Sequence, residues 1–147
     1  MKMSIDIDDQ LEKALEGVIA KIDRRKILDA AGAALAEIAT RSFREADKRP
    51  SAWAPLAAST LKKKQGKGNV LIDTGFLVHG IVAQNNTGEA INVTTGASYA
   101  AHLQYGTKHM PARPFMPFNP GTGELSESGK VAVEDAVTAE LEAMFNK

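Results

Sequence analysis

Cysteine is absent from the 147 residues, so neither a disulfide framework nor a thiolate zinc site can form. That suits a chain made in a reducing cytoplasm. Aromatics are sparse at 5%, so a core has to be built mainly from Ala, Leu, Ile and Val. Excess charge of either sign is missing: 18 Lys and Arg balance 18 Asp and Glu. A broadly basic, nucleic-acid-coating surface is therefore not indicated. The same balance leaves little repulsion between copies and permits self-association. No apolar run approaches the roughly 18 residues needed to span a bilayer. Met1 to Asp9 carries acids where a secretory leader has a basic segment followed by an apolar one. The expectation is a soluble protein made in the cytoplasm, without repeats or low-complexity tracts.

The length fits one compact domain, residues 1–147. Ile7, Leu11, Leu15, Val18 and Ile22 fall at helical spacing, which predicts an amphipathic helix with Asp6 and Asp8 as N-terminal caps. Asp23 to Lys26 reads as a hinge. A second helix is predicted from about Lys26 to Ala46, with Leu28, Ala31, Leu35, Ile38, Ser42 and Phe43 sharing a face. Its many alanines favour helix and close approach of a neighbour, and Pro50 ends it. Leu56 to Gln65 reads as a short helix capped near Ser59 or Thr60, and Gly66 to Asn69 as a flexible basic loop. Phe76 to Ala83 fits strand or helix, with strand favoured from Val78. Ile91, Val93 and Thr95 alternate with polar residues, so a β-hairpin across 78–96 is expected. Ser98 to Gln104 gives one or two helical turns. Pro111 to Phe118 is proline-spaced and must be extended, with an edge strand as one outcome. A last helix is predicted over Glu127 to Phe145, with Val133, Val137, Leu141 and Met144 on one face. The order predicts an α+β fold, a small antiparallel sheet packed against N-terminal and C-terminal helices.

Catalytic chemistry finds little support. His79, His102 and His109 lie in no nucleophile elbow, H-E-x-x-H pattern or triad context. His79 reads as a strand residue on the wet face. A metal site joining His102, His109 and Asp73 is conceivable, but their spacing does not favour it. No cofactor is implied. Lys62, Lys63, Lys64 and Lys67 lack the pattern of a phosphate loop. They form a local positive patch able to touch a nucleic-acid backbone, without interleaved aromatics for base stacking. A solvated loop is the simpler reading.

The specific features are short and clustered. They are Trp53-Ala54-Pro55-Leu56, Thr60-Leu61-Lys62-Lys63-Lys64, Leu71-Ile72-Asp73-Thr74-Gly75-Phe76-Leu77, Tyr99-Ala100 with Gln104, Gly106 and Thr107, and Pro111-Ala112-Arg113-Pro114-Phe115. In this order they resemble the Mu-like phage virion morphogenesis family, and they are similar to tail-completion and minor tail proteins of other long-tailed phages. The resemblance covers about residues 5 to 120. It departs at Asp47 to Ser51, where Asp-Lys-Arg-Pro-Ser replaces a Pro-Asp-Gly-like turn. It implies a non-catalytic assembly role in the virion, at the head-proximal end of the tail or at the neck, after assembly in the host cytoplasm. It also implies other tail or neck proteins as partners and a homo-oligomer, such as a ring.

The expected contact residues are Trp53, Pro55, Leu56, Thr74, Gly75, Tyr99, Gln104, Gly106, Pro111, Arg113, Pro114 and Phe115. Gly75 suits a positive-φ turn. The Pro111–Pro114 spacing makes a preorganised arm, and Arg113 could grip a carboxylate across a subunit contact. Phe115 and Phe118 could anchor that arm. Packing of the arm on its own domain and on a neighbour both stay open. Trp53 reads first as a core lid, and Tyr99 and Tyr105 as core residues with wet hydroxyls. A nucleic-acid-binding accessory protein acting through the lysine loop is the alternative.

Overall fold

The computed structural model describes residues 7–66, 69–85 and 87–146. The Asp6 and Asp8 caps, the Ile7 side chain and Lys67 lie outside that set. The helices are α1 (Ile7–Ala20), α2 (Arg24–Ser42), α3 (Ala58–Lys64), α4 (Phe76–His79), α5 (Ala100–Tyr105) and α6 (Glu127–Phe145). One hairpin, β1 (Ile81–Gln84) and β2 (Asn92–Thr95), pairs antiparallel with Ile81 opposite Thr95 and Gln84 opposite Asn92. The fold is α+β, as the pattern predicts.

α2 is the centre. Asp23 is its N-cap, accepting from the Arg25 and Lys26 amides at 3.1 and 3.3 Å, so the expected hinge is a helix start. Ala31, Gly32, Ile38, Ala39 and Ser42 are its buried residues. The small ones let two partners come close: α6 along one flank and the hairpin along another. The clearest case is Gly32, where a Cβ would stand 2.2 Å from Ile91 Cγ1. Asn85 ties the hairpin end to the start of α2, donating to Asp29 Oδ1 at 2.9 Å. The helix stops at Ser42, earlier than Ala46, and a 3₁₀ turn over Ala46–Lys48 follows. α6 opens on Ser126, whose hydroxyl accepts from the Gly129 amide at 3.2 Å.

Four expectations need correction. α3 starts after Ala57 with no side-chain cap, so neither Ser59 nor Thr60 caps it. Residues 76–79 are helical, and His79 is exposed at the end of a helical turn, not on a strand. The turn begins at Gly75, whose φ of 85° is a left-handed conformation that glycine adopts without strain. The 111–118 segment joins no strand; the one bridge it makes is Phe118 with Leu125. Last, α1 packs extensively against no other element, and Leu11, Leu15, Val18 and Ile22 on its stripe are exposed. The periodicity is real, but nothing in the described chain covers it.

The core sits between α2, α4 and the 111–118 segment. Phe43, Leu77, Val78, Ala97 and Phe115 are buried there, with Trp53, Leu71, Ile72, Ile81 and Leu103 packed around them.

Candidate interaction site

The Pro111–Phe118 segment has no sheet neighbour, so its backbone has to be satisfied in another way. Prolines at 111, 114 and 117 remove three donors. The amides of Arg113, Phe115, Met116 and Phe118 are all paired. Arg113 donates to the Leu103 carbonyl at 2.7 Å and Phe118 to the Met116 carbonyl at 2.7 Å. The Phe115 and Met116 amides both donate to Gln104 Oε1, at 3.0 and 2.9 Å. Gln104 Nε2 then donates to the Phe118 carbonyl at 3.3 Å. One side chain, 3% exposed, thus imitates a neighbouring strand over four residues.

Other elements hold the carbonyls. Trp53 Nε1 donates to Pro114 at 2.8 Å and Ser42 Oγ reaches Phe115 at 3.0 Å. The Ser126 amide donates to Pro117 at 2.9 Å. The side chains close the same seam. Phe115, 1% exposed, meets Phe43 at a ring distance of 5.4 Å, and Phe43 meets Trp53 edge-on at 6.1 Å. Such aromatic pairs add about 0.5–1.5 kcal/mol each beyond their buried area. Arg49 lies 3.8 Å from the Trp53 ring centroid and donates to the Ser42 carbonyl at 2.7 Å. Burial lowers its pKa from the ordinary value, and the guanidinium keeps its charge.

Arg113 corrects one expectation. The residue is 7% exposed, and its guanidinium donates from Nε to the Ala54 carbonyl at 2.9 Å and from Nη2 to the Pro55 carbonyl at 2.8 Å. Within the chain it anchors the Trp53–Pro55 turn rather than offering its fork to a partner's carboxylate. Gly106, at φ 73°, leaves room for the segment: a Cβ there would stand 2.7 Å from the Ala112 amide nitrogen. Pro114 is fully buried.

The twelve expected contact residues therefore divide. Gly75, Gln104, Arg113, Pro114 and Phe115 are buried, and Trp53, Leu56 and Gly106 are half-buried. Pro55, Thr74, Tyr99 and Pro111 are exposed. Trp53 is a lid over Phe43, as read. Tyr99 and Tyr105, expected in the core, are 43% and 57% exposed.

Thr74, Gly75 and Tyr99 come together at an open hollow of about 340 Å³, lined also by Lys64, Val70, Leu71, Asp73, Phe76, Leu77 and Leu103. Phe76 stands on its rim, 60% exposed. Lys64 is not part of a free basic patch: its ammonium donates to the Asn69 and Ile72 carbonyls at 2.7 and 2.6 Å, pinning that loop. That leaves Lys62 and Lys63 as the exposed members among the described lysines of the run.

His102 and His109 are both exposed, and no group of three or more His, Asp or Glu among the described residues could hold a metal ion. Sequence reasoning missed the clamping role of Gln104, the Arg49 cation over Trp53, the Lys64 clip and the exposed Phe76. A cation four residues before a tryptophan was a legible signal for Arg49; a run of lysines gave no sign that one points inward.

These features define a class: a small α+β scaffold whose extended proline segment is locked in place by side chains. The chain belongs to the phage virion morphogenesis family, whose family model matches residues 6–142. Membership gives it a role in the assembly of phage virions. No curated protein and no solved structure matches it. No described helix is long and apolar enough to cross a membrane.

Proposed function

We propose that the protein is a non-catalytic structural subunit that completes the phage tail or joins it to the head. In this reading it is a single domain over residues 1–147. It assembles in the host cytoplasm, works as a homo-oligomer such as a ring, and contacts other tail or neck proteins in the virion. The observation that carries the reading is how the family-like residues are used. Gln104, Arg113, Pro114 and Phe115 are consumed in holding one extended segment rigid. Rigid presentation lowers the entropy lost on docking, which is what a repeated structural contact needs. The neighbouring Pro55, Thr74, Tyr99 and Pro111 stay open for contact on that frame.

The test is an in-frame deletion of the gene in the phage or prophage that carries it. Electron microscopy of the lysate should show heads and tails that fail to join. Infectious particles at normal yield would refute the proposal.

A further inference from the structure

Charge is spread unevenly along the chain. Of all residues 24% are charged, yet residues 74–107 hold a single formal charge, Glu89. That stretch supplies α4, the hairpin and α5, and it bears the exposed Phe76, Val82, Tyr99 and Tyr105. Few charges and exposed aromatics are the composition of an interface centre.

The hairpin lies in the middle of this stretch and is incomplete as a sheet. Two strands alone are marginal in water. Among the described residues, no backbone group of β1 or β2 bonds outside the pair, so both edges are open. α2 packs mainly under β1, and Ile91 and Val93 stay only half-buried. β2 carries no charge, no proline and no bulge, so its shortness is the edge's one guard. At its Thr95 end it borders α5 and the 115–118 segment across an open hollow of about 160 Å³ with no charged residue in its lining.

These properties select the occupant. The free amides and carbonyls of a strand edge match an extended backbone. An uncharged face disfavours a charged partner, whose charges would lose water without compensation. The same edge and face of a second copy meet both requirements.

We infer that β2 pairs antiparallel with β2 of a second copy across a twofold axis, joining two hairpins into one four-stranded sheet. Side chains alternate between faces, so the register has to set half-buried residues opposite half-buried ones. Val93 opposite its own copy does this: Ile91 then faces Thr95, and Asn92 faces Thr94. Four residues give few backbone bonds, so the contact extends over the hollow beside Thr95. The inference rests on the homo-oligomer of the proposed function and names the contact through which two copies meet.

Sedimentation velocity of the full chain over a concentration series should show a monomer–dimer equilibrium. Thr94 is exposed and next to the axis, so Thr94→Lys and Thr94→Glu should each weaken dimerisation by roughly tenfold or more, through like charges brought together. At concentrations where the parent is monomeric, circular dichroism and the thermal midpoint of both should match the parent. Mixed 1:1, the two variants should dimerise again. A second arm uses the absence of cysteine. Val93→Cys gives a chain with one thiol, placed opposite its copy at a spacing that suits a disulfide. Mild oxidation should link it into dimers and leave Leu61→Cys, on α3, unlinked.

A parent that is monomeric at every concentration would overturn the inference, as when the edge serves a different tail protein. So would Thr94 variants that dimerise as the parent does, a mixture that stays monomeric, or equal linking of the two cysteine variants. A deletion phage that still gives normal particles would instead sink the assembly reading and leave the dimer standing.

Discussion

The Pro111–Phe118 segment and α1 differ in where they find cover. The proline segment, whose pattern suits its own domain or a neighbour equally, is held inside its own chain; α1, with the stripe of an amphipathic helix, lies open. Both patterns are real. Prolines preorganise a segment for any complementary surface, and an apolar stripe asks only to be covered. Neither pattern says whether the partner surface is in the same chain. For the segment it is: Gln104, Ser42, Trp53 and Ser126 converge on its backbone from four places in the sequence. For α1 no described element supplies one.

The comparison is broken most sharply at Phe115. Phe115→Ala should lower the unfolding free energy by about 3–5 kcal/mol, through lost apolar burial and the cavity left behind. Urea denaturation followed by the fluorescence of Trp53, the single tryptophan, would read it directly. A loss near zero would mean that the segment is not locked.

Gln104→Leu should cost about 2–4 kcal/mol, because it strands the buried Phe115 amide at about 1–3 kcal/mol and the part-buried Met116 amide at about 1 kcal/mol. Gln104→Glu keeps the acceptor for both amides but sets a buried carboxyl against the Phe118 carbonyl, so its cost should shrink as the pH falls and the protonated carboxyl can donate there again. A Gln104→Glu loss that does not change with pH would contradict the clamp.

A position belonging to neither region calibrates the scale. Gly32→Ala drives a methyl into Ile91 and should destabilise by about 1–3 kcal/mol, against the usual helix gain of about 1 kcal/mol or less for this change. Combining it with Ile91→Ala should recover part of the loss. Simple additivity would deny the contact.

A smaller effect depends on pH. Hydrogen bonds from Arg41, at 2.9 and 2.8 Å, hold the Glu45 carboxyl below its ordinary value of 4.5. A carboxyl lowered in the folded state contributes stability above its unfolded pKa and loses it as the pH falls through the folded value. The thermal midpoint should therefore fall as the pH drops below 4.5, and by less in Glu45→Gln. The difference should be slight, since both partners are solvent-exposed and such pairs are weak.

The smallest effect belongs to α1. Leu15→Ala should change the unfolding free energy of the monomer by no more than about 0.5 kcal/mol. A loss of the size expected at Phe115 would show that the stripe is covered within the chain after all.

Much of the fold was legible in the chain. The residues that mark helix ends and turns act locally, so α6 falls on Glu127–Phe145 as read, and the alternation of Ile91, Val93 and Thr95 becomes half of the hairpin. Boundaries slipped where a tertiary contact overrode local preference. At the end of α2 the buried Ser42 hydroxyl lies between the Ala39 carbonyl at 2.6 Å and the Phe115 carbonyl, 73 positions away, at 3.0 Å. The residues of the candidate site were also legible, but their use was not. Gln104, Arg113 and Phe115 stood out as a pattern, and nothing in their spacing told a clamp from a contact.

By itself, the sequence determined periodicity, turns and the rigidity of the proline segment, because each depends on neighbours a few residues apart. Tertiary structure alone decided which surfaces are consumed and which stay open. That choice depends on groups far apart in the chain arriving at one place, as Trp53, Gln104 and Pro114 do, and as nothing described does for α1.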